Sequence, residues 1–399
     1  MALQIKPGLR RVWRGPGTVQ IGLDPRWGTV LDGLPAADAP RVAARAEGLA
    51  SESPARAPAA RPATGPATGS MTGPATGPTN GPAIAREAEL SALLIEAGVA
   101  LTRRTDRVWL GELGRDLDRL APDAAAWSLL PQDDGSPSHD DGWQRLAARG
   151  RRTVRIVGAG RIGTALATTL AAAGVGRLDV LDPAPVSAAD VTPAGAGPAD
   201  LGLARAQAAR RAIRRVVGED RAPVRGAVPD LVVLIEPDAA DAVAAQQLVA
   251  RDVHHLSIVI REGSVLVGPL VRPGASACLR CLDLHRSDRD PAWPRVLAQL
   301  LAARAGGGGG HHTHAEETAS AQLAASLACL QVLADLDTRH SGDRSGTPSA
   351  APARGPASLS ATLEIDLPDG LISRREWPLH HTCGCHALPT AGGPATMAR

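Results

Sequence analysis

Four of the five cysteines in this chain fall into two close pairs whose spacing suits a metal ion. The first pair is Cys278 and Cys281, and the second, far along the chain, is Cys383 and Cys385. Two pairs of thiolates supply the four ligands of a closed tetrahedral zinc site, which stabilises a fold and leaves no position open for Lewis-acid chemistry. The alternative is four unliganded thiols, but two such pairs in a cysteine-poor chain favour the metal. The sequence therefore predicts structural Zn²⁺.

A glycine motif and a later carboxylate form the second candidate site. Gly158, Gly160 and Gly163 follow a short apolar run and precede an alanine-rich helical segment, and Asp182 ends the next apolar run. In such a unit the glycines let a phosphate approach the positive end of the helix, and the carboxylate accepts hydrogen bonds from ribose hydroxyls. The motif predicts a nucleotide site; the alternative is a tight turn that binds nothing.

Other residues with possible chemistry give weaker signals. Cys329 lies among the leucines of a late helical segment and is expected to be a small core residue. A run of five glycines followed by His-His-Thr-His at 306–314 could bind metal, but its composition favours a flexible loop. His380, His381 and His386 flank the second cysteine pair and could replace a cysteine ligand, although supporting or exposed roles are favoured.

The composition excludes several classes of function. Among 399 residues, 43 Lys and Arg balance 41 Asp and Glu, so no basic surface is expected to attract nucleic acid or an anionic membrane. Phe and Tyr are absent, which removes most of the surface on which bases stack. No apolar stretch approaches the roughly 20 residues that span a bilayer. Cysteines that serve as thiols or metal ligands rather than as disulfides suit a reducing compartment. The expectation is therefore a cytoplasmic protein without membrane or nucleic-acid partners.

Residues 1–148 are expected to form a small α+β domain that is interrupted by a linker. Repeats of Pro-Ala-Thr-Gly within residues 51–83 have too few large apolar groups to offset the entropy of ordering. The expected elements are a hairpin formed by Thr18–Leu23 and Gly28–Leu31 and helices at Ile84–Thr102 and Leu110–Leu120.

From Thr153 onward, short apolar runs alternate with helical segments, which is typical of a parallel sheet covered by helices. The predicted strands are 154–157, 178–181, 231–235, 256–261 and 264–267, and the predicted helices are 164–173, 204–217 and 239–250. A late helix carries Leu323, Leu327 and Leu330 on one face. Ala361–Leu367 and Gly370–Trp377 suggest a hairpin, preceded by a second linker at 341–357 and followed by a disordered tail at 387–399.

These motifs together resemble a known family. VRIVGAGRIG, LDVLD ending at Asp182, GPLVRPG running into CLRC, and the distant cysteine pair are similar to the ThiF/MoeB-type adenylyltransferases of the ubiquitin-activating superfamily, over residues 152–386. GPLVRPGASACLRC together with REWPLHHTCGC more narrowly resembles the ThiF-like proteins of azoline-forming cyclodehydratase pathways in actinobacteria. The resemblance implies a doubly wound, Rossmann-like α/β domain with structural zinc, preceded by a small winged-helix-like domain that binds a precursor's leader peptide.

The resemblance also implies a set of site residues and the cofactors ATP and Mg²⁺. Gly158, Gly160, Gly163 and Asp182 would bind nucleotide, Asp238 would bind magnesium, and Arg205 stands where the family has a catalytic lysine. The family's asparagine and arginine fall on or near Asp190 and Pro193. The only lysine of the chain is Lys6, so none can serve this site. Arginine keeps the charge of lysine but not its geometry, so the nucleotide site could be vestigial.

Three functions remain open at this point. The first is ATP-dependent adenylation of a peptide or small carrier protein, through the nucleotide residues with Asp238 and Arg205. The second is a non-catalytic protein that binds a precursor's leader peptide and presents it to a separate cyclodehydratase; an exposed hairpin edge can accept an extended peptide. The third, an NAD-dependent oxidoreductase, leaves the cysteine pairs unexplained. The resemblance also allows a homodimer.

Overall fold

The structure is a computed structural model that describes residues 4–15, 17–24, 28–34, 81–101, 110–111, 113–130, 141–219, 221–222, 226–305, 316–345, 355–367 and 369–387. It divides into two compact units. The N-terminal unit contains Met1–Thr105 and Ala124–Gly142, and the α/β unit contains Asp106–Asp123 and Trp143–Arg399. The glycine–histidine run at 306–314, and most of the predicted linkers and tail, lie outside the described residues. The predicted domain boundaries at 148 and 152 stay predictions.

The N-terminal unit contains two small antiparallel sheets and a helix. Its elements are β1 (Gln4–Ile5), β2 (Arg11–Gly15), β3 (Thr18–Ile21), β4 (Thr29–Leu31), α1 (Gly81–Glu96) and β5 (Ala100–Leu101). β2, β3 and β4 form one sheet in that order, and β1 pairs with β5. Val19 and Ile21 alternate with less buried residues along β3 and pack in a core with Ile5, Leu94 and Val99. The predicted hairpin is confirmed as β3 and β4.

The predicted helices of this region have different bounds. α1 ends at Glu96 rather than Thr102, because Gly98 has a left-handed backbone and the chain then extends into β5. The second predicted helix is confirmed in part: residues 110, 111 and 113 are helical, Gly114–Asp116 form a 3-10 turn, and α2 (Leu117–Leu129) continues beyond the predicted end. The winged-helix-like character of this part of the chain stays a prediction.

The α/β unit follows the predicted alternation of strands and helices. Its further elements are α3 (Trp143–Arg149), β6 (Thr153–Val157), α4 (Arg161–Ala172), β7 (Arg177–Leu181), α5 (Arg205–Val217), β8 (Leu231–Pro237), α6 (Ala242–Ala250), β9 (His254–Ile260), β10 (Ser264–Val271), α7 (Leu279–Arg289), α8 (Trp293–Ala305), α9 (Thr318–Ser345), β11 (Ala361–Asp366) and β12 (Ile372–Glu376). The predicted C-terminal hairpin is confirmed as β11 and β12.

The seven-stranded sheet is mixed, whereas the sequence pattern predicted a parallel one. Its order is β12-β11-β10-β9-β8-β6-β7. β7, β6, β8 and β9 are parallel, and β9 to β12 are antiparallel. Only Arg261–Gly263 separate β9 from β10, which is too short for the crossover that a parallel neighbour needs. The parallel half is the part that carries the glycine motif.

Helix α9 packs small residues against the sheet core together with Leu333 and Leu336, which lie beyond the predicted leucine face. Ala324, Ala328 and Val332 are fully buried, whereas Leu323 and Leu330 are 36% and 61% exposed. Cys329 lies in the same core, as predicted, and burial raises the pKa of its thiol to about 12. Thr318–Thr338 is long and apolar enough to cross a membrane by length and composition, but 61% of the window is buried inside the unit.

A buried ion pair connects α3 to α9. The Nε and Nη2 atoms of Arg149 donate to the two carboxylate oxygens of Asp337 at 2.9 and 2.6 Å. Both side chains are nearly inaccessible to water. Two parallel hydrogen bonds make this the geometry in which a buried pair can offset its desolvation cost. It fixes the C-terminal part of α9 beside the start of β6.

Candidate functional site

The glycine motif forms the tight turn that its sequence requires. Gly158 follows β6 with φ +98°, and Gly160 is the residue that caps the N-terminus of α4. A Cβ atom on Gly163 would lie 1.9 Å from the carbonyl oxygen of Gly158, so no other residue fits there. The turn therefore brings the first backbone amides of α4 close behind β6, where helix N-termini attract anions.

Asp182 lies directly beside this turn. Its Oδ2 accepts a hydrogen bond from the backbone N–H of Ala159 at 2.8 Å, and its Oδ1 accepts one from Ala184 at 3.0 Å. The side chain is 11% exposed. These two bonds orient the carboxylate at the carboxyl ends of β6 and β7, which is the position of a ribose-binding acid in this class of fold.

Arg205, the residue on or near the predicted lysine position, forms ion pairs with two carboxylates. Its Nε and Nη2 atoms donate to Asp190 at 3.0 and 2.9 Å, and its Nη1 lies 3.7 Å from Asp182. Asp190 is 7% exposed and also accepts bonds from the backbone N–H and hydroxyl of Ser187. The positive charge of Arg205 is thus neutralised within the chain by these two carboxylates.

Two residues not predicted from the sequence, Arg161 and Glu316, complete this group. The Arg161 guanidinium donates to the carbonyl oxygens of Ala189 and Glu316 at 2.5 and 2.9 Å, and to Thr318 Oγ1 at 3.2 Å. Arg161 and Arg205 favour the charged form of the Glu316 carboxylate, whereas Asp190 disfavours it. Burial raises the pKa of Glu316. A glutamate just before a late helix carries no signal that it returns to the glycine turn.

The residues present fit a nucleoside better than a triphosphate. The glycine turn and Asp182 have the geometry for ribose and a nearby phosphate. The charges of the site do not suit a triphosphate, because there are three carboxylates and only two guanidinium groups. The carboxylates are those of Asp182, Asp190 and Glu316, and the guanidinium groups are those of Arg161 and Arg205. Phosphates need unshared cations and free amides at this position.

Asp238 makes none of the described contacts with Asp182, Asp190 or Arg205. It follows β8 with a left-handed backbone (φ 64°), its N–H donates to the carbonyl oxygen of Ile260, and its side chain is exposed. It lines a cavity of about 20 Å³ together with Ser257, Asp283 and Arg286. A cavity of that size has room for one water molecule. Its predicted role with magnesium stays a prediction.

The four cysteines of the two pairs come together as predicted. Cys278 Sγ lies 3.8 Å from Cys281 Sγ and 3.6 Å from Cys383 Sγ, and Cys281 Sγ lies 3.5 Å from Cys385 Sγ. A tetrahedron with zinc–sulfur bonds of about 2.3 Å requires sulfurs about 3.8 Å apart. All four residues are buried, and burial raises the pKa of the Cys385 thiol to about 12. A dication would offset the cost of the buried thiolates, so Zn²⁺ fits this cluster.

The histidine that precedes the second pair supports the cluster rather than binding the metal. The backbone N–H of His380 donates to Cys281 Sγ at 3.5 Å. His285, Asp288 and His380 also lie close enough to hold a second ion. However, the N–H of Thr382 donates to Nδ1 of His380, so the ring proton is on Nε2, which donates to Asp288 at 2.9 Å. That nitrogen is therefore not free to bind a metal. His381 and His386 are exposed.

The ThiF family matches residues 137–333 of the chain. The chain contains a ThiF-family domain and is similar to ThiF-type, adenylyltransferase-like proteins. No curated protein matches it significantly in sequence. The match covers the glycine turn, Asp182, Arg205 and the first cysteine pair, and it ends within α9.

Solved structures share the fold over nearly the whole length of this ThiF-type protein. E. coli MccB with ATP is 14% identical, with a TM-score of 0.57, over 97% of this chain and 100% of that one. The microcin C7 biosynthetic enzyme MccB in complex with N-formylated MccA is 12% identical, with a TM-score of 0.57 and the same coverage. PaaA is 15% identical, with a TM-score of 0.59, over 94% of this chain and 99% of that one. The likeness extends beyond the ThiF match to the N-terminal unit.

Proposed function

We propose that this ThiF-type protein binds the leader segment of a ribosomal precursor peptide with its N-terminal unit and presents the peptide to a separate modifying enzyme, a cyclodehydratase. In this proposal its nucleotide site has lost adenylation activity. The observation that carries the proposal is the ion pairing of Arg205. The residue at the lysine position is bound to Asp190 and lies near Asp182.

Loss of catalysis follows from what adenylation requires. When a carboxylate attacks the α-phosphate, negative charge builds up as pyrophosphate leaves, and unshared cations must offset it. In this chain Arg205 already shares its charge with two carboxylates, and Lys6 is the only lysine. Replacing the family's asparagine by Asp190 adds a negative charge where a phosphate would approach.

A peptide partner is supported by two observations. The microcin C7 biosynthetic enzyme MccB, which aligns with nearly all of this chain, has a solved structure in complex with N-formylated MccA. In the N-terminal unit, β4 pairs only with β3 among the described strands, and Val30 on β4 is 45% exposed. A strand edge of this kind accepts an extended peptide through main-chain hydrogen bonds, while side chains beside it give selectivity.

Binding can be tested on the full chain with a labelled candidate leader peptide and calorimetry. Single N-methylation along the peptide should weaken binding at alternate residues only, because every second amide of an added strand faces the edge. Val30→Arg should weaken binding, and Val228→Arg, an exposed apolar residue of the α/β unit, serves as the control. Equal losses at consecutive amides, or no effect of Val30→Arg, would contradict strand addition at β4.

Catalysis can be tested by ATP–pyrophosphate exchange in the presence of the precursor. We expect no exchange above background with the wild-type protein, and cyclodehydration of the precursor only when a separate cyclodehydratase is added. Peptide-dependent exchange by the wild type would refute the non-catalytic proposal.

One observation favours a second function, ATP-dependent adenylation. The glycine turn and Asp182 keep the geometry that nucleotide binding needs. If this function holds, Asp182→Ala should abolish the exchange signal of the wild type, and Asp238→Asn should remove its dependence on magnesium.

We also propose a cytoplasmic location and a homodimer. A site of four zinc thiolates favours a reducing compartment, since oxidation to disulfides would release the metal. Light scattering of the zinc-loaded protein tests the dimer, and a monomer at micromolar concentration would exclude it.

A further inference from the structure

The three-stranded sheet of the N-terminal unit carries an apolar row on the face that points away from its core. Val12 on β2 pairs with Gln20 on β3, and Gln20 pairs with Val30 on β4, so the three side chains lie next to one another across the sheet. Val12 and Val30 are 41% and 45% exposed, whereas Val19 and Leu31 are buried on the other face. The row ends at β4, whose outer edge pairs with no described strand.

Asp32 lies on the same face as Val30, one pair further along this edge. β3 and β4 pair Val19 with Leu31, so the next pair in the same register is Thr18 with Asp32. The hydroxyl of Thr18 donates to Oδ1 of Asp32 at 2.6 Å, which places the two side chains together. The backbone N–H of Gly33 donates to the same oxygen at 2.9 Å. These two bonds hold the carboxylate in a fixed position beside the edge of β4.

The carboxylate of Asp32 is charged and exposed. The hydrogen bonds from Thr18 and Gly33 hold its pKa below the ordinary value of 3.8, so it is ionised at neutral pH. Among the residues that the structure describes, no Arg or Lys forms an ion pair with it, and both of its described hydrogen bonds go to Oδ1. The edge of β4 therefore presents one apolar side chain and one negative charge that the described chain does not neutralise.

A strand added beside β4 would place two of its side chains next to Val30 and Asp32. Positions opposite residues 30 and 32 are two apart in the added strand, and their side chains point to the same face. Directly opposed side chains stabilise a sheet when both are apolar or when their charges are opposite, and like charges destabilise it. The favoured partner thus has an apolar residue opposite Val30 and a cationic residue opposite Asp32.

We propose that the edge of β4 selects a leader segment in which an apolar residue and an arginine or lysine are separated by one residue. This inference rests on the proposed function, because it requires strand addition at β4, and it names the chemical class of peptide that the edge accepts. An acidic residue in place of the arginine or lysine would be repelled by Asp32.

Selection of short random peptides by display, with the full chain as the target, tests this preference. We expect the wild type to enrich peptides that contain an apolar residue two positions from Arg or Lys. Asp32→Asn keeps the oxygen that accepts both hydrogen bonds and should lose the preference for a cation. Asp32→Lys should enrich Asp or Glu at that position. Glu262→Lys is the control, because it reverses an exposed charge in the turn between β9 and β10 and should select as the wild type does.

Calorimetry then measures one selected peptide against a copy in which Glu replaces the basic residue. The replacement should weaken binding to the wild type by about fivefold, less at high salt, and should change binding to Asp32→Asn by less than about twofold. An equal loss in the wild type and in Asp32→Asn would overturn the inference.

Val30→Arg separates this inference from the proposed function. Selected peptides that need Val30 but show no preference for a basic residue would overturn the inference and leave strand addition at β4 intact. Selected peptides that bind Val30→Arg as tightly as the wild type, or a selection that enriches no peptide, would overturn strand addition at β4 and this inference with it.

Discussion

The guanidinium of Arg205 is held by both carboxylate oxygens of Asp190, at 2.9 and 3.0 Å. The ion pair joins the two residues on or near which the resemblance places the family's lysine and asparagine. The pair turns two groups that would serve a nucleotide into a structural contact between α5 and the loop after β7.

Removing one partner of this pair should destabilise the protein. In Arg205→Ala the buried Asp190 keeps its charge without its cation, and we expect a loss of about 1–3 kcal/mol in the free energy of unfolding. Adding Asp190→Asn should recover part of that loss, because the uncompensated charge is gone. Urea denaturation of both single variants and the double variant measures the coupling. Additive effects would show that the pair contributes nothing.

Loss of the zinc ion should lower the stability of the folded protein. We expect one zinc per chain, and Cys383→Ser should lower both the zinc content and the melting temperature, because the two cysteine pairs can share a metal only in the folded state. Cys329→Ala is the control: it removes a buried thiol that lies in the core, so its zinc content should equal that of the wild type. Elemental analysis measures the zinc content of each variant, and thermal melting measures its melting temperature. Full zinc content in Cys383→Ser contradicts the site.

His255 should make the protein sensitive to acid. Burial lowers the pKa of this histidine to about 4 from an ordinary value of 6.5, so between these values the unfolded chain binds a proton that the folded chain does not. Stability therefore falls as the pH drops through this window, by roughly 3 kcal/mol at most. His255→Gln should flatten that part of the curve of unfolding free energy against pH. The exposed His381→Gln should not, and identical curves for all three proteins would argue against the effect.

The carboxylate of Glu316 should lower the stability of the folded protein at neutral pH. Burial raises its pKa above the ordinary 4.5, so the folded state binds this proton more tightly than the unfolded state does. The stability contributed by the group is full below pH 4.5 and is lost as the pH rises through the folded pKa. Glu316→Gln should thus melt at a higher temperature than the wild type at neutral pH, and the difference should narrow on acidification. A lower melting temperature at neutral pH would be inconsistent with a strained carboxylate.

The local elements of the α/β unit could be predicted because their signals are local. The glycine spacing, the apolar run ending at Asp182 and the two cysteine pairs depend on backbone sterics, strand periodicity and ligand chemistry, which act over a few residues. β6, α4, β7 and the β11–β12 hairpin lie within a few residues of their predicted bounds.

The tertiary structure alone decided how distant parts of the chain meet. Leu323 and Leu330 of α9 are exposed while alanines of the same helix are buried in the core, and the antiparallel half of the sheet follows from the short turn after β9. Glu316 reaches the N-terminus of α4 across more than 150 residues of sequence. No pattern along the chain encodes such a contact, because electrostatic pairing depends on distance in space. The sequence by itself determined the scaffold and its candidate site residues, and the folded arrangement decided which charged groups pair with one another around the glycine turn.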